Sequence, residues 1–146
     1  MLTLKTSYSV GVWGDAVMKK SLSPQDVISQ YVESGVVLTE TTLNGDYRKG
    51  NKEGEKLIKV FKSLENDLEL ANNSLSTLLR NENIVTRTKA AAHCLSLKIN
   101  IEQSLEVLEL AADDVNNGVF GFNAKMTLQV WHEQGFLRVY PDQKLS

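Results

Sequence analysis

Apolar residues recur at three- and four-residue intervals through most of this chain, and turn signals separate the runs. Ser23-Pro24-Gln25-Asp26 is the first clear helix start. Ser23 can accept from free amides, Pro24 suits the first helical position, and Asp26 complements the positive helix end. Val27, Ile28, Tyr31, Val32, Val36 and Leu43 follow at helical spacing. Gly35 and the group Thr39, Thr41 and Thr42 weaken the middle and leave room for a kink, and Asn44-Gly45-Asp46 is a stop and turn. A second segment, from Tyr47 to about Leu70, places Leu57, Ile58, Phe61, Leu64 and Leu68 on one stripe, opposite Lys49, Lys52, Lys56 and Lys59.

Asn72-Asn73-Ser74 then predicts a break, with Ser74 capping a short helix that turns Leu75, Leu78 and Leu79 inward. Asn81-Glu82-Asn83 ends it, and Asn83 is placed to cap a helix from Ile84 to Leu97 that buries Val85, Thr88, Ala91, Ala92 and Leu95. Ala91 and Ala92 permit the close helix approach that stacked helical repeats need. Asn100 is placed to cap a helix burying Ile101, Leu105, Leu108 and Ala112, and Asn116-Asn117-Gly118 stops it. A last helix, from about Gly121 to Glu133, buries Ala124, Leu128 and Trp131 before Gly135. Phe136, Leu137, Val139 and Tyr140 form an apolar tail expected to fold back. Both prolines, Pro24 and Pro141, lie outside this helical body, where each would cost about 3 kcal/mol in a helix interior. The expectation is an all-α protein of about six helices in antiparallel hairpins, a short α-solenoid.

Residues 1–22 depart from that pattern. Leu2, Leu4, Tyr8, Val10, Val12 and Trp13 alternate loosely around Gly11 and Gly14. They predict an N-terminal arm packed on the helical domain 23–146, because Trp13 and Val17 are costly to leave in water. The chain has 146 residues, enough for one domain with a core, and no apolar run approaches the ~18 residues of a membrane span. The N-terminus lacks a secretory signal pattern, and one cysteine, Cys94, suits a reducing compartment, so a cytoplasmic location is expected.

Candidate chemistry is sparse. His93 and His132 with Cys94 lack the spacing of a zinc site, and His132-Glu133-Gln134-Gly135-Phe136 lacks the second histidine of a metalloprotease motif. Both histidines read as packed or surface residues and Cys94 as a small buried apolar one. Gly50-Asn51-Lys52-Glu53-Gly54-Glu55-Lys56 has neither the spacing nor the following Ser or Thr of a phosphate-binding loop. No nucleophile, base and orienting group assemble, so neither an enzyme nor a bound cofactor or metal is expected.

Two charge stripes carry more. Glu102, Glu106, Glu109 and Asp113 follow i, i+4, i+7, i+11 spacing and form an acidic ridge extended by Asp114. No Lys or Arg occurs between Ile99 and Gly118 to offset it. Like charges at i, i+4 destabilise a helix by a few tenths of a kcal/mol each, so the ridge is either an ordinary solvated face or one that meets a basic partner. The basic row Arg48, Lys49, Lys52, Lys56, Lys59 and Lys62 is diluted by Glu53 and Glu55. With a net charge of −2 and few interleaved aromatics, it does not suit direct nucleic-acid binding. It suits complementarity to the ridge, within the chain or in a weak homodimer.

Gly45-Asp46-Tyr47-Arg48-Lys49-Gly50-Asn51-Lys52, Val85-Thr86-Arg87-Thr88-Lys89-Ala90-Ala91-Ala92 and Gly121-Phe122-Asn123-Ala124-Lys125-Met126-Thr127-Leu128-Gln129-Val130-Trp131, closing at Gly135, together carry a resemblance. The chain from about Val27 to Gly135 resembles a family of small bacterial HEAT-like helical proteins designated only as a domain of unknown function. In such proteins a Val-Arg pair precedes the Ala-rich element, and here Thr86 intervenes. Some relatives of that kind occur beside toxin genes and act as immunity proteins. The resemblance therefore implies a non-catalytic inhibitor of a cognate toxin domain from a contact-dependent or related system. A nuclease, an RNase before a DNase, is the expected toxin. The ridge would face its basic cleft, and Tyr8 and Trp13 are candidate aromatic anchors. A helical adaptor or homodimeric scaffold unrelated to toxins is the alternative.

Overall fold

A computed structural model describes residues 21–145. The N-terminal arm, including Tyr8 and Trp13, thus lies outside the described residues up to Lys20. The rest is helical: α1 (Pro24–Asn44), α2 (Tyr47–Glu65), α3 (Leu68–Leu78), α4 (Ile84–Leu97), α5 (Ile101–Asp113) and α6 (Gly118–Gln134), with a 3-10 turn at Val115–Asn117. No β-strand occurs among the described residues.

Local side chains set the helix ends. Ser23 and Asp26 close a reciprocal capping box on α1, at 3.1 Å and 2.9 Å. Gly45 at φ +77° ends that helix, with its N–H on the Thr41 carbonyl. Asp46 caps α2 through the Lys49 amide, and Asn83 caps α4 by accepting from both Val85 and Thr86.

The α2–α3 boundary differs from the expectation. Asn66 and Asp67, not Asn72-Asn73-Ser74, make the break, because the Asp67 carboxylate takes the Leu70 amide and starts α3 seven residues early. Ser74 lies inside α3, buried, donating to the Leu70 carbonyl. Asn100 is not a side-chain cap either. It sits in left-handed backbone at φ +48°, and its Nδ2 donates to Asn72 Oδ1 at 3.0 Å. The last helix begins at Gly118 rather than Gly121.

α4 is the hub, packing against α1, α3, α5 and α6. Eight of its 14 residues are buried, so its covered surface extends well beyond the expected stripe, and Thr88 and Ala92 lie at the margin. α1 packs along α2 and across α3 and α4, and α5 lies against α4 and α6. The core joins Val27, Tyr31, Leu57, Leu64, Leu75, Leu78, Leu95 and Leu108, with Phe61 also fully buried.

α1 is continuous through Gly35, where the sequence left room for a kink. Gly35 serves packing instead. It is buried, and a Cβ there would overlap Thr86 Oγ1 of α4 and lie 3.1 Å from Thr86 Cβ. Val36 and Leu43 lie outside the α1 core stripe, exposed, while Ser34, Gly35 and Thr41 take the buried places. Leu68 is likewise exposed.

The tail folds back as expected. Leu137 is buried and its carbonyl accepts from Ser96 Oγ of α4 at 2.8 Å. Gln143 secures it, taking the Val139 amide at 2.6 Å on Oε1 and donating to Ser96 Oγ at 2.8 Å from Nε2. Tyr140 reaches α2, donating to Glu65 at 2.6 Å beside the Phe61 ring.

The α1–α4 crossing yields a prediction. Gly35→Ala should destabilise the fold by about 1–3 kcal/mol through overpacking, and the loss should shrink in a Thr86→Ala background. Urea unfolding of the two single variants and the double variant checks this. Additive losses would mean that the two side chains do not meet at the crossing.

Candidate binding surface

Every residue of the expected ridge is on the surface. Glu102, Glu106, Glu109, Asp113 and Asp114 are all exposed on α5 and the turn after it. None has an ion-pair partner among the described residues, and Asp114 uses one oxygen to take the Asn116 amide. Helical spacing turned outward is sufficient to place the first four in a row, since Ser104, Leu108 and Ala111 occupy the inward positions.

The basic row is also exposed at Arg48, Lys49, Lys52, Lys56, Lys59 and Lys62. Glu53 does not dilute it, because Glu53 is buried. It accepts from Ser34 Oγ of α1 at 2.8 Å and pairs with Lys56 at 3.4 Å. Ser34 in turn accepts from Gln30, so a polar chain stitches α1 to α2. The stretch 50–56, rejected as a phosphate-binding loop, is helical throughout, as expected of the segment that starts at Tyr47.

A groove that the sequence does not announce runs across the molecule, centred on Lys89. One cavity of about 440 Å³ lies between α4, α6 and the tail, lined by Lys89, His93, Met126, Val130, Gln134 and Arg138 among others. A second, of about 230 Å³, shares Lys89 and lies between α1, α4 and α6 beside Leu38, Thr88, Phe120 and Asn123. A third, of about 750 Å³, extends from Lys89 to Tyr47 and Gly50 of α2. Lys89 keeps solvent contact, yet the surrounding walls displace bulk water and lower its ammonium pKa.

α6 presents a second apolar row to this side. Val119, Phe122, Met126 and Val130 are all exposed, while Ala124 is buried and Leu128 and Trp131 are half-buried as the inward stripe. Their spacing of three or four residues was the available signal. On a helix already given one apolar stripe, a second stripe marks a surface for contact.

His93 forms the floor next to Lys89. Its Nδ1 is 2.6 Å from the buried Tyr31 hydroxyl, and the Phe61 ring meets it edge-on at 4.9 Å between centroids. Burial first, then the Lys89 charge one turn away, lower the imidazole pKa to about 3, and burial raises that of Tyr31. The phenol proton has no other acceptor among the described residues, so it is donated to Nδ1, and Nε2 carries the imidazole hydrogen. Cys94 is buried with its thiol pKa raised by burial, and His132 is exposed.

No family model, no curated protein and no solved structure matches this chain.

The surface offers an exposed anionic row, an exposed cationic row, and a groove with an apolar flank and a central ammonium. No cluster of three His, Cys, Asp or Glu side chains suited to a metal ion occurs among the described residues, and none of their helices is long and apolar enough to cross a membrane.

Burial of neutral His93 gives a pH prediction. Its folded pKa lies below the ordinary 6.5, so between about 3 and 6.5 the unfolded chain binds the extra proton. This contribution to stability is complete above pH 6.5 and declines as pH falls, by up to ~1.4 kcal/mol per pH unit. Denaturant unfolding of wild type and His93→Gln across that range should show a shallower slope for the variant. Parallel slopes would mean that His93 protonates freely in the fold.

Proposed function

We propose that this chain is a non-catalytic immunity protein that neutralises a cognate bacterial toxin domain by direct binding in the cytoplasm. The exposed row Glu102, Glu106, Glu109, Asp113 and Asp114, without a cation from the described chain, carries the reading. A nuclease has to present a basic cleft to the phosphate backbone, and a rigid acidic row is complementary to such a cleft. Occupying the cleft blocks the nuclease without any bond being made or broken.

The packing order supports a short HEAT-like solenoid as the scaffold. Taken as pairs, α1/α2 packs on α3/α4 through α1, and α3/α4 packs on α5/α6 through α4. Such neighbour-to-neighbour stacking lets one outer helix display its charge while the other faces stay covered. The resemblance to toxin-associated helical proteins supports the same role.

A second reading rests on the exposed cationic row of α2. In a homodimeric adaptor, that row on one copy would meet the ridge of α5 on the next. Salt-dependent self-association in sedimentation experiments would favour it, and a monomer at high concentration would remove it.

The test is to look beside this gene for one encoding a secreted protein with a toxic C-terminal domain, and to measure association with that domain. Replacing Glu102, Glu106, Glu109 and Asp113 together with Ala should slow association about tenfold or more at low salt and flatten its ionic-strength dependence. Binding rates that stay unchanged at every salt concentration would remove the ridge from the mechanism.

A further inference from the structure

The cavity between α4, α6 and the tail gathers positive charge and hydrogen-bond donors from two separate places in the chain. Lys89 and His93 come from α4, one turn apart, and Arg138 comes from the tail. No carboxylate of the described residues lines this cavity, although acidic residues outnumber basic ones in the chain, 18 to 16. Neither Lys89 nor Arg138 has an ion-pair partner among the described residues.

Arg138 is held in position. Its Nε donates to the Gln143 carbonyl at 3.3 Å, and its guanidinium lies 5.0 Å above the centre of the Phe136 ring. These contacts leave the terminal N–H groups without an acceptor among the described residues. Gln143, which bonds both the tail and Ser96, fixes this segment against α4. His93 is positioned from the opposite side by the Tyr31 hydroxyl, and assigning the phenol as donor to Nδ1 places the imidazole hydrogen on Nε2, which has no acceptor among the described residues. A held guanidinium, an ammonium and a neutral N–H donor around one concavity of about 440 Å³ suit a doubly charged oxyanion.

We propose that this cavity binds a phosphate group, with Lys89 and Arg138 neutralising its two charges and His93 Nε2–H donating to a third oxygen. Ala92, Met126 and Val130 supply an apolar wall beside the cationic end, so the phosphate can belong to an ester with an apolar substituent or be the free ion. The site is separate from the acidic ridge, none of whose residues lines it, and stands whether or not the ridge binds a toxin.

The experiment titrates the full chain with inorganic phosphate and, separately, with phenyl phosphate, at constant ionic strength set with sodium chloride. The imidazole nitrogen resonances of His93 are followed by NMR. His132 is the only other histidine, is exposed and does not line the cavity, so it serves as an internal reference. Saturable shifts at His93 Nε2 with little change at His132 are expected. Lys89→Gln and Arg138→Gln, both at exposed positions, should each weaken binding about tenfold or more without loss of helical circular dichroism. Tighter binding of phenyl phosphate assigns an esterified phosphate, and equal binding assigns the free ion; both outcomes support the site. Absence of a His93 shift, equal affinity in the two variants, or the same shifts with acetate would overturn it. Because no toxin is present, failure here leaves the ridge experiment unaffected.

Discussion

The molecule depends on the burial of α4. A helix covered by four neighbours must satisfy its polar atoms internally, and α4 carries Thr86, His93 and Ser96 into the interior. Two of the three are paired with specific distant residues. His93 meets Tyr31 of α1, and Ser96 meets Leu137 and Gln143 of the tail. Thr86 instead fills the space left by Gly35, and its Oγ1 has no hydrogen-bond partner. Apolar packing alone tolerates small slips between helices, whereas these contacts fix the height and rotation of α4 against α1 on one side and the tail on the other.

The groove follows from that fixation. Its walls are α1, α6 and the tail, and its floor is α4, so every polar anchor of α4 also sets the position of a wall. Gln143 illustrates the point. It lies far from Lys89 in sequence and is buried, yet it holds both the tail backbone and the carbonyl side of the Arg138 contact. A residue with no exposed surface of its own thereby decides where a cation sits on the surface. Glu53 plays a similar part between α1 and α2: it is buried and ties α2 to α1 through Ser34.

Much of the fold was legible because helix starts and stops are local. Ser23, Asp46, Asn83 and Gly135 act within three or four residues of themselves, and each marks a boundary that the structure contains. The errors arose where several polar residues competed for one role. Asn72-Asn73-Ser74 resembles a break as much as Asn66-Asp67 does, and only the carboxylate of Asp67 reaches a free amide. The ridge on α5 was legible as a row because one helix carries all of its regular spacing. The groove was not, since Lys89, Arg138 and Tyr47 are brought together by helix packing and share no sequence spacing. The exposed row of α6 had a visible period, but periodicity does not say which of two apolar stripes faces inward.

Net charge conceals the arrangement that matters here. A value of −2 describes a chain in which α5 presents an acidic row and α2 a basic one, with two further cations around a cavity that no carboxylate of the described residues lines. Exposed charges act over a Debye length of roughly 8–10 Å at ordinary salt, so the field of the α5 row reaches beyond contact distance and is readily screened. Groups in the groove behave differently. Lys89 is walled closely enough for its ammonium to be disfavoured, and a charge of that kind gains more from an anionic partner than a fully hydrated one does. The surface thus holds charge in two different surroundings, in open solvent on α5 and beside close walls at Lys89, and salt screens the first more strongly than the second.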